Sequence, residues 1–216
     1  MQRLESARQR LLAELGRTIK DPRVMEAMDR VPRERFVPPA RRAQAYEDIP
    51  LPIGEGQTIS QPLIVALMTE ALKLTGNETV LEVGTGSGYQ AAVLSHLAAR
   101  VVSVERFPSL AERAVGRLEG LGIENVEVHV TEDGLGWPAG APYDAIIVTA
   151  AAPYVPQPLL DQMKEAGRIV IPVGGRDHQD LLVVTRRGEG IGRRSLGGCR
   201  FVPLVGKEAW PPEPDL

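Results

Sequence analysis

Leu4, Ala7, Leu11, Leu12 and Leu15 recur at helical spacing and Gly16 offers a stop, so the pattern predicts an amphipathic helix over residues 2–16. Asp21-Pro22 reads as an N-cap followed by proline at the first helical position, opening a second helix through Met28. From Val31 to Pro62 proline is dense and the period is lost. Phe36, Val37, Tyr46, Ile49, Leu51 and Ile53 are dispersed through this stretch, which makes it an ordered connector or cap. Leu63, Ile64, Leu67, Met68, Ala71 and Leu72 then form an apolar helical face that ends near Gly76. At the head of that face, "GEGQTISQP" offers Ser60 as N-cap and Pro62 in the first turn. A cap needs one hydroxyl, yet Thr58 and Ser60 bracket Ile59, so the stretch also reads as part of a reaction site.

The pattern then alternates. Strands are predicted over Val80–Val83, Val101–Glu105, Asn125–Val130, Ala145–Val148 and Arg168–Val173. Helices are predicted over Tyr89–Ala99, Leu110–Leu121 and Leu159–Lys164. Alternation of this kind argues for an α/β fold, a doubly wound and mostly parallel sheet. Leu181–Arg186 and Phe201–Val205 read as two strands joined by Gly-rich sequence, and they should form an antiparallel hairpin at the sheet edge.

Composition narrows the function classes without choosing among them. The chain has 216 residues, 43% hydrophobic and 25% charged, with a net charge of −3, so no overall basic field attracts nucleic acid. Arg42, Arg187 and Arg194 each follow another arginine, but the pairs are far apart and read as solvated surface. Cys199 is the only cysteine, which leaves no intramolecular disulfide and no multi-cysteine zinc site. No run is long and apolar enough for a membrane span, and a cytoplasmic monomer is the default expectation.

"VLEVGTGSGYQ" is the strongest motif. Gly84, Gly86 and Gly88 follow a buried strand and precede a helix, where a nucleotide-like ligand meets the carboxyl ends of a parallel sheet. Glu105 ends the next strand, 21 positions beyond Gly84, placed to accept ribose hydroxyls. The spacing is G-x-G-x-G rather than G-x-G-x-x-G, and Glu82 would repel a pyrophosphate but suits a ligand with a positively charged amino-acid end. S-adenosyl-L-methionine is favoured over NAD on that ground. Asp133 before Gly134 either contacts the adenine amine or makes an Asx-type turn.

The acceptor side is notable for what it lacks. Strand four ends in "IIVTAAAPYVP", with Ala151 and Ala152 before Pro153, and no Asn or Asp stands there to hold an exocyclic amine. Cys199 is remote from that strand end, and His96, His129 and His178 read as structural or surface residues. An acceptor already ionised, such as a carboxylate, would need no base.

Seven stretches run in order across nearly the whole chain: "VPRERFVP", "GQTISQP", "VLEVGTGSGYQ", "VVSVER", "YDAIIVTAAAP", "RIVIPVG" and "RFVPLVG". On these the sequence resembles the protein-L-isoaspartate O-methyltransferases of bacteria and archaea. The resemblance implies a Rossmann-like fold in one methyltransferase domain over 1–216. Within it, 1–62 would be a helical cap segment, 63–175 the cofactor-binding core, and 176–216 a C-terminal hairpin and substrate lip. It implies methyl transfer from S-adenosyl-L-methionine, leaving S-adenosyl-L-homocysteine, to the α-carboxylate of L-isoaspartyl and more weakly D-aspartyl residues. The partners would be isoaspartyl-containing proteins and peptides. Ser60 would be the catalytic hydroxyl, with Thr58, Ile59, Val202 and Leu204 also facing the substrate, the last two through their backbone. Gln57, Thr58, Ile59, Ser60, Glu82, Gly84, Thr85, Gly86, Ser87, Gly88, Glu105, Arg106, Asp133, Gly134 and Thr149 would surround the cofactor. Two positions depart from the family pattern: Glu132 stands where a glycine is usual, and Val205 where some relatives carry a hydroxyl.

Overall fold

The computed structural model describes residues 2–132, 135–188 and 190–211. Its elements in chain order are α1 (Gln2–Leu15), α2 (Pro22–Arg30), β1 (Leu51–Gly54), β2 (Gln57–Ile59), α3 (Pro62–Leu72), β3 (Thr79–Val83), α4 (Tyr89–Ser95), β4 (Arg100–Glu105), α5 (Pro108–Glu119), β5 (Val126–Val130), β6 (Tyr143–Val148), α6 (Gln157–Asp161), β7 (Met163–Gly174), β8 (Gln179–Arg187) and β9 (Gly190–Cys199). The main sheet has seven strands in the order β5-β4-β3-β6-β7-β8-β9. β3 to β7 pair in parallel, while β7–β8 and β8–β9 are antiparallel. The chain winds outward from β3 to β5 and then returns to β6 beside β3, so the switch in winding direction lies between β3 and β6. In open sheets of this kind the crevice at the carboxyl ends of such strands is where ligands bind.

The central strands are buried on both faces, as a parallel sheet covered by helices requires. Val80, Val101, Ala145, Ile147 and Val170 meet one layer, with Val65, Leu72, Leu94 and Leu110 from the helices. Leu81, Val102, Ile146, Val148 and Ile171 meet the other, with Leu159 and Leu160 of α6. α2 is capped as its sequence predicts, Asp21 accepting the Arg23 N–H at 2.9 Å. No helix among the described residues is long and apolar enough to cross a membrane.

Four elements differ from the sequence expectation. α4 ends at Ser95 rather than Ala99, because the Asn125 amide satisfies the Ser95 and Ala98 carbonyls at 2.9 and 3.1 Å and lets the chain turn early. α6 stops at Asp161, and Lys164 lies in β7, which runs through an irregularity where Ala166 takes φ 58°. The edge hairpin partner of β8 is the Gly-rich, exposed β9 and not Phe201–Val205. A polar edge strand shows no inside–outside alternation, which hides it from the pattern. The connector 31–62 also contains the β1–β2 hairpin, whose two-residue Glu55-Gly56 turn has φ of 52° and 67°. Positive φ at both central positions gives the twist that suits a tight hairpin, which explains the glycines ahead of Thr58.

Candidate active site

The site is built around the junction of β3 and β6. Gly84 leaves β3 at φ 99°, where a Cβ would lie 2.4 Å from Thr149 Oγ1 at the end of β6. The Thr149 hydroxyl donates toward the Gly84 carbonyl at 2.6 Å and approaches that of Val83 at 3.1 Å, closing the seam between the two strands. Glycine is required here by both the backbone angle and the close approach. On the other flank, Gly84 and Thr85 N–H donate to the Val104 carbonyl, tying the loop to β4.

Glu105 holds the next wall in place. Its Oε2 accepts the Gly86 N–H at 2.8 Å, and its Oε1 accepts the Arg106 and Phe107 N–H groups at 2.8 and 3.0 Å. The carboxylate is therefore fixed by three main-chain donors, with lone pairs left for a diol. Arg106 lies with its guanidinium carbon 5.0 Å from the Phe107 ring centroid.

The cleft so formed holds about 690 Å³ of space open to solvent. Of the residues expected from sequence, Gln57, Thr58, Gly84, Gly86, Glu105, Arg106, Thr149, Val202 and Leu204 line it together. Phe107 and Ala150 line it as well, and the sequence marks them only by their position just after a strand end.

Other expected residues lie elsewhere. Glu82 is fully buried beneath the glycine loop. The Ser103 hydroxyl donates to its Oε2, Ser103 in turn meets Thr85 Oγ1 at 2.5 Å, and Glu82 Oε1 has no hydrogen-bond partner among the described residues. Burial pushes the Glu82 carboxyl up to about 8, with the Glu105 charge adding in the same direction. Ser103, a polar residue in the middle of "VVSVER", was the legible sign of this buried contact. Ser87 turns inward to accept the Tyr89 N–H, and Gly88 packs at α4 where a Cβ would lie 3.2 Å from that of Ala114. Asp133 and Gly134 lie outside the described residues.

At the lip, Thr58 is exposed to the cleft while Ile59 points into the core at 4% exposure, as alternation along an extended strand predicts. Ser60 follows, half-buried and outside the cleft lining, with its hydroxyl unbonded among the described residues. Ser60 is not the cap of α3. Gln61 holds that position without a side-chain bond, and Asp48 takes over from thirteen residues upstream. Asp48 Oδ1 accepts the Leu63 N–H and its Oδ2 accepts the Gln61 amide, each at 2.8 Å. Buried Arg33 keeps that loop in place by donating to the carbonyls of Ala45 and Ile49 at 2.9 and 3.3 Å.

The opposite lip is residues 201–205, which pair with the end of β6. Ala151 donates to the Val202 carbonyl at 2.7 Å and accepts the Leu204 N–H at 2.8 Å. The Leu204 carbonyl accepts the Trp210 N–H at 2.9 Å, so the backbone of Leu204 is engaged within the chain, contrary to the expectation that it holds substrate. The Val202 N–H makes no such bond among the described residues.

The cleft fits the cofactor suggested by the sequence. It offers a carboxylate for a diol and a glycine floor that a side chain would fill.

The family profile described as protein-L-isoaspartate(D-aspartate) O-methyltransferase matches residues 6–209. The chain belongs to this family. A protein-L-isoaspartate O-methyltransferase 1 of Syntrophobacter fumaroxidans is 58% identical over 196 residues, 91% of this chain and 92% of that one. The enzyme so named in Syntrophotalea carbinolica is 52% identical over 214 residues, 97% of this chain and 99% of its own length. Among solved structures, a protein-L-isoaspartate O-methyltransferase superposes with a TM-score of 0.83 at 32% identity, covering 94% of this chain and 67% of that chain. A Plasmodium falciparum protein described under the same name, in complex with S-adenosyl-L-homocysteine, gives 0.77 at 27% identity, covering 90% and 96%. The isoaspartate O-methyltransferase family and the switch-point cleft thus meet in one place.

Proposed function

We propose that this chain is a protein repair methyltransferase acting on the free α-carboxylate of L-isoaspartyl residues in proteins and peptides, with D-aspartyl residues as weaker substrates. The methyl ester then collapses without further catalysis to a succinimide, and hydrolysis returns part of it to normal aspartate. The observation that carries the reading is the chemistry of the cleft wall. Among its described lining residues Glu105 and Arg106 are the only ionisable side chains, and Glu105 is tied to three backbone donors. No described lining side chain is free to act as a base, which suits an acceptor that arrives ionised, as a carboxylate does near neutral pH.

S-adenosyl-L-methionine, when bound, supplies an electrophilic methyl on a sulfonium, and S-adenosyl-L-homocysteine is the product. Gln57, Thr58, Gly84, Gly86, Glu105, Arg106 and Thr149 form its walls, and the family pattern assigns the adenine contact to Asp133 and Gly134. Glu82, Thr85, Ser87, Gly88 and Ile59 act from beneath by holding the loop and hairpin. Thr58 and Ser60 orient the acceptor carboxylate, and Val202 holds the peptide through its N–H, with Leu204 contributing its side chain. The remaining work is positioning and exclusion of water. We place the protein in the cytoplasm as a monomer, in keeping with its single, half-buried cysteine.

The deciding experiment offers labelled S-adenosyl-L-methionine with paired peptides that differ only in isoaspartyl or aspartyl linkage. Base-labile methyl ester should form on the isoaspartyl peptide alone. Equal labelling of both, or of neither, would sink the assignment.

A further inference from the structure

At the far end of the sheet from the cleft lies a concave surface that methyl transfer leaves unused. The cleft sits beyond the carboxyl ends of β3 and β6, whereas Arg168 stands opposite Ala145 toward the other end of β6. Lys73 closes α3 just before the chain enters β3. Between them a groove with about 900 Å³ of space open to solvent is lined by Lys73, Arg168, Arg187, Arg193 and Arg194 over a floor of Ala71 and Val183. Strand register gathers these charges from distant parts of the sequence. Arg168 pairs with Thr185, Thr185 with Gly192, and Val183 with Arg194. Arg187 falls two positions beyond Thr185 and so shares its face. Gly192 keeps the groove open, since a Cβ there would lie 3.0 Å from Thr185 Oγ1.

None of the five cationic side chains makes a hydrogen bond or ion pair with a group among the described residues. Their neighbours do: Arg186 donates to the Leu160 carbonyl at 2.6 Å, and Glu165 accepts the Gly188 N–H at 2.6 Å. Register puts Arg168, Arg187 and Arg194 on one face beside Lys73, so like charges with no partner among the described residues repel one another there, in a chain whose net charge is −3. Guarding an edge strand against pairing would account for Arg193 and Arg194 on β9. It does not account for half-buried Arg168 on an interior strand, nor for Lys73 at a helix end.

We propose that this groove binds a ligand carrying several linked phosphates, at a site separate from the methyl-transfer cleft. Arginine forks take phosphate oxygens in pairs, and lysine adds a mobile point charge. The shared chemistry is the phosphate chain, which either inorganic tripolyphosphate or the triphosphate arm of a nucleotide can present.

The test titrates the full chain with tripolyphosphate, ATP and orthophosphate at about 150 mM salt, where loose surface pairing is screened. One tripolyphosphate should bind per chain, with orthophosphate at least about tenfold weaker. The double substitution Arg168→Gln/Arg194→Gln should weaken tripolyphosphate by roughly tenfold or more, as loss of charged hydrogen bonds does. Affinity for S-adenosyl-L-homocysteine and methyl transfer should not change. Lys73→Gln, at an exposed helix end, provides a second variant should the double one fold poorly, and should weaken binding in the same direction. ATP binding no tighter than tripolyphosphate supports the bare chain as ligand, and tighter binding supports a nucleotide. Binding that survives these substitutions, is displaced by S-adenosyl-L-homocysteine, or exceeds one per chain would overturn the site. So would a single-stranded oligonucleotide whose affinity grows with length, or no binding of either polyphosphate at millimolar concentration.

Discussion

At the floor of the cleft, Gly84 and Thr149 belong to neighbouring strands of a sheet buried on both faces, and their contact is fixed by that sheet. At the lip, Thr58 and Val202 sit on short segments anchored to the core by Ile59 and Leu204, at 4% and 5% exposure. The floor is held by many parallel contacts and the lip by a few. Changes to the floor should therefore cost stability and cofactor affinity together, while changes to the lip should alter turnover and leave the cofactor bound.

Glu82 gives the floor its largest expected effect. Its carboxyl is raised from the usual range near 4.5 to about 8 in the fold. The unfolded chain loses this proton near its ordinary value, while the folded chain keeps it, so unfolding releases a proton anywhere between. Stability contributed by the neutral carboxyl is full below about pH 4.5 and declines as pH rises through about 8. Glu82→Gln cannot titrate, so its melting temperature relative to the parent should climb steadily from pH 5 to pH 8 in the ligand-free protein. A gap independent of pH would show that Glu82 is ionised in the fold.

Gly84→Ala tests the seam directly. The added Cβ meets Thr149 Oγ1 at 2.4 Å and occupies a φ of 99° that side chains resist. Strain and overpacking together should cost about 2–5 kcal/mol, seen as lowered thermal stability and loss of S-adenosyl-L-homocysteine binding. Adding Thr149→Ala should recover only the steric part. Full recovery would mean that the backbone angle carries no cost, and no loss in the single variant would mean that floor and lip are equally yielding.

These two regions also differ in how far the sequence reveals them. The floor is legible because its requirements are local: Gly84, Gly86 and Gly88 follow one strand, and Glu105 ends the next. Ser103 shows as a polar residue inside an apolar strand. At the lip, the hydroxyls of Thr58 and Ser60 are visible, yet the reason for the adjoining glycines is not, because the hairpin partner Leu51–Gly54 is only four residues long and carries a proline and a glycine that argue against a strand. Phe201–Val205 looks like a ladder strand from its apolar residues, but it makes only isolated bridges, to Ala151 just beyond β6 and to Trp210, and β9 takes the edge. The basic groove escapes local reading altogether, since Arg168, Arg187 and Arg194 meet only through register.

Ser60→Ala sharpens the contrast from the lip side. Its hydroxyl has no partner among the described residues, so its removal leaves no orphaned group in the fold. If it hydrogen-bonds the acceptor carboxylate, turnover on an isoaspartyl peptide should fall by about 1.5–3 kcal/mol of barrier, with cofactor affinity and melting temperature unchanged. An unchanged rate would leave Thr58, which does line the cleft, as the carboxylate-facing hydroxyl.

Asp48 carries the smallest of these effects and the most specific one. Its carboxylate caps α3 through Leu63 and grips Gln61, and so sets the backbone directly after Ser60 from a loop that Arg33 holds. Asp48→Ala removes both bonds and should cost about 1 kcal/mol of stability, the usual value of a lost cap. Because the displaced segment is the lip, turnover should fall several-fold while S-adenosyl-L-homocysteine affinity stays within error. Asp48→Asn retains one acceptor oxygen for the Leu63 N–H, and a flipped Gln61 amide can meet its new NH2, so this variant should restore most of both losses. A variant that lost stability without losing turnover would reduce Asp48 to a helix cap. Equal loss of cofactor affinity would show instead that floor and lip move as one body, which their separate anchoring to the core argues against.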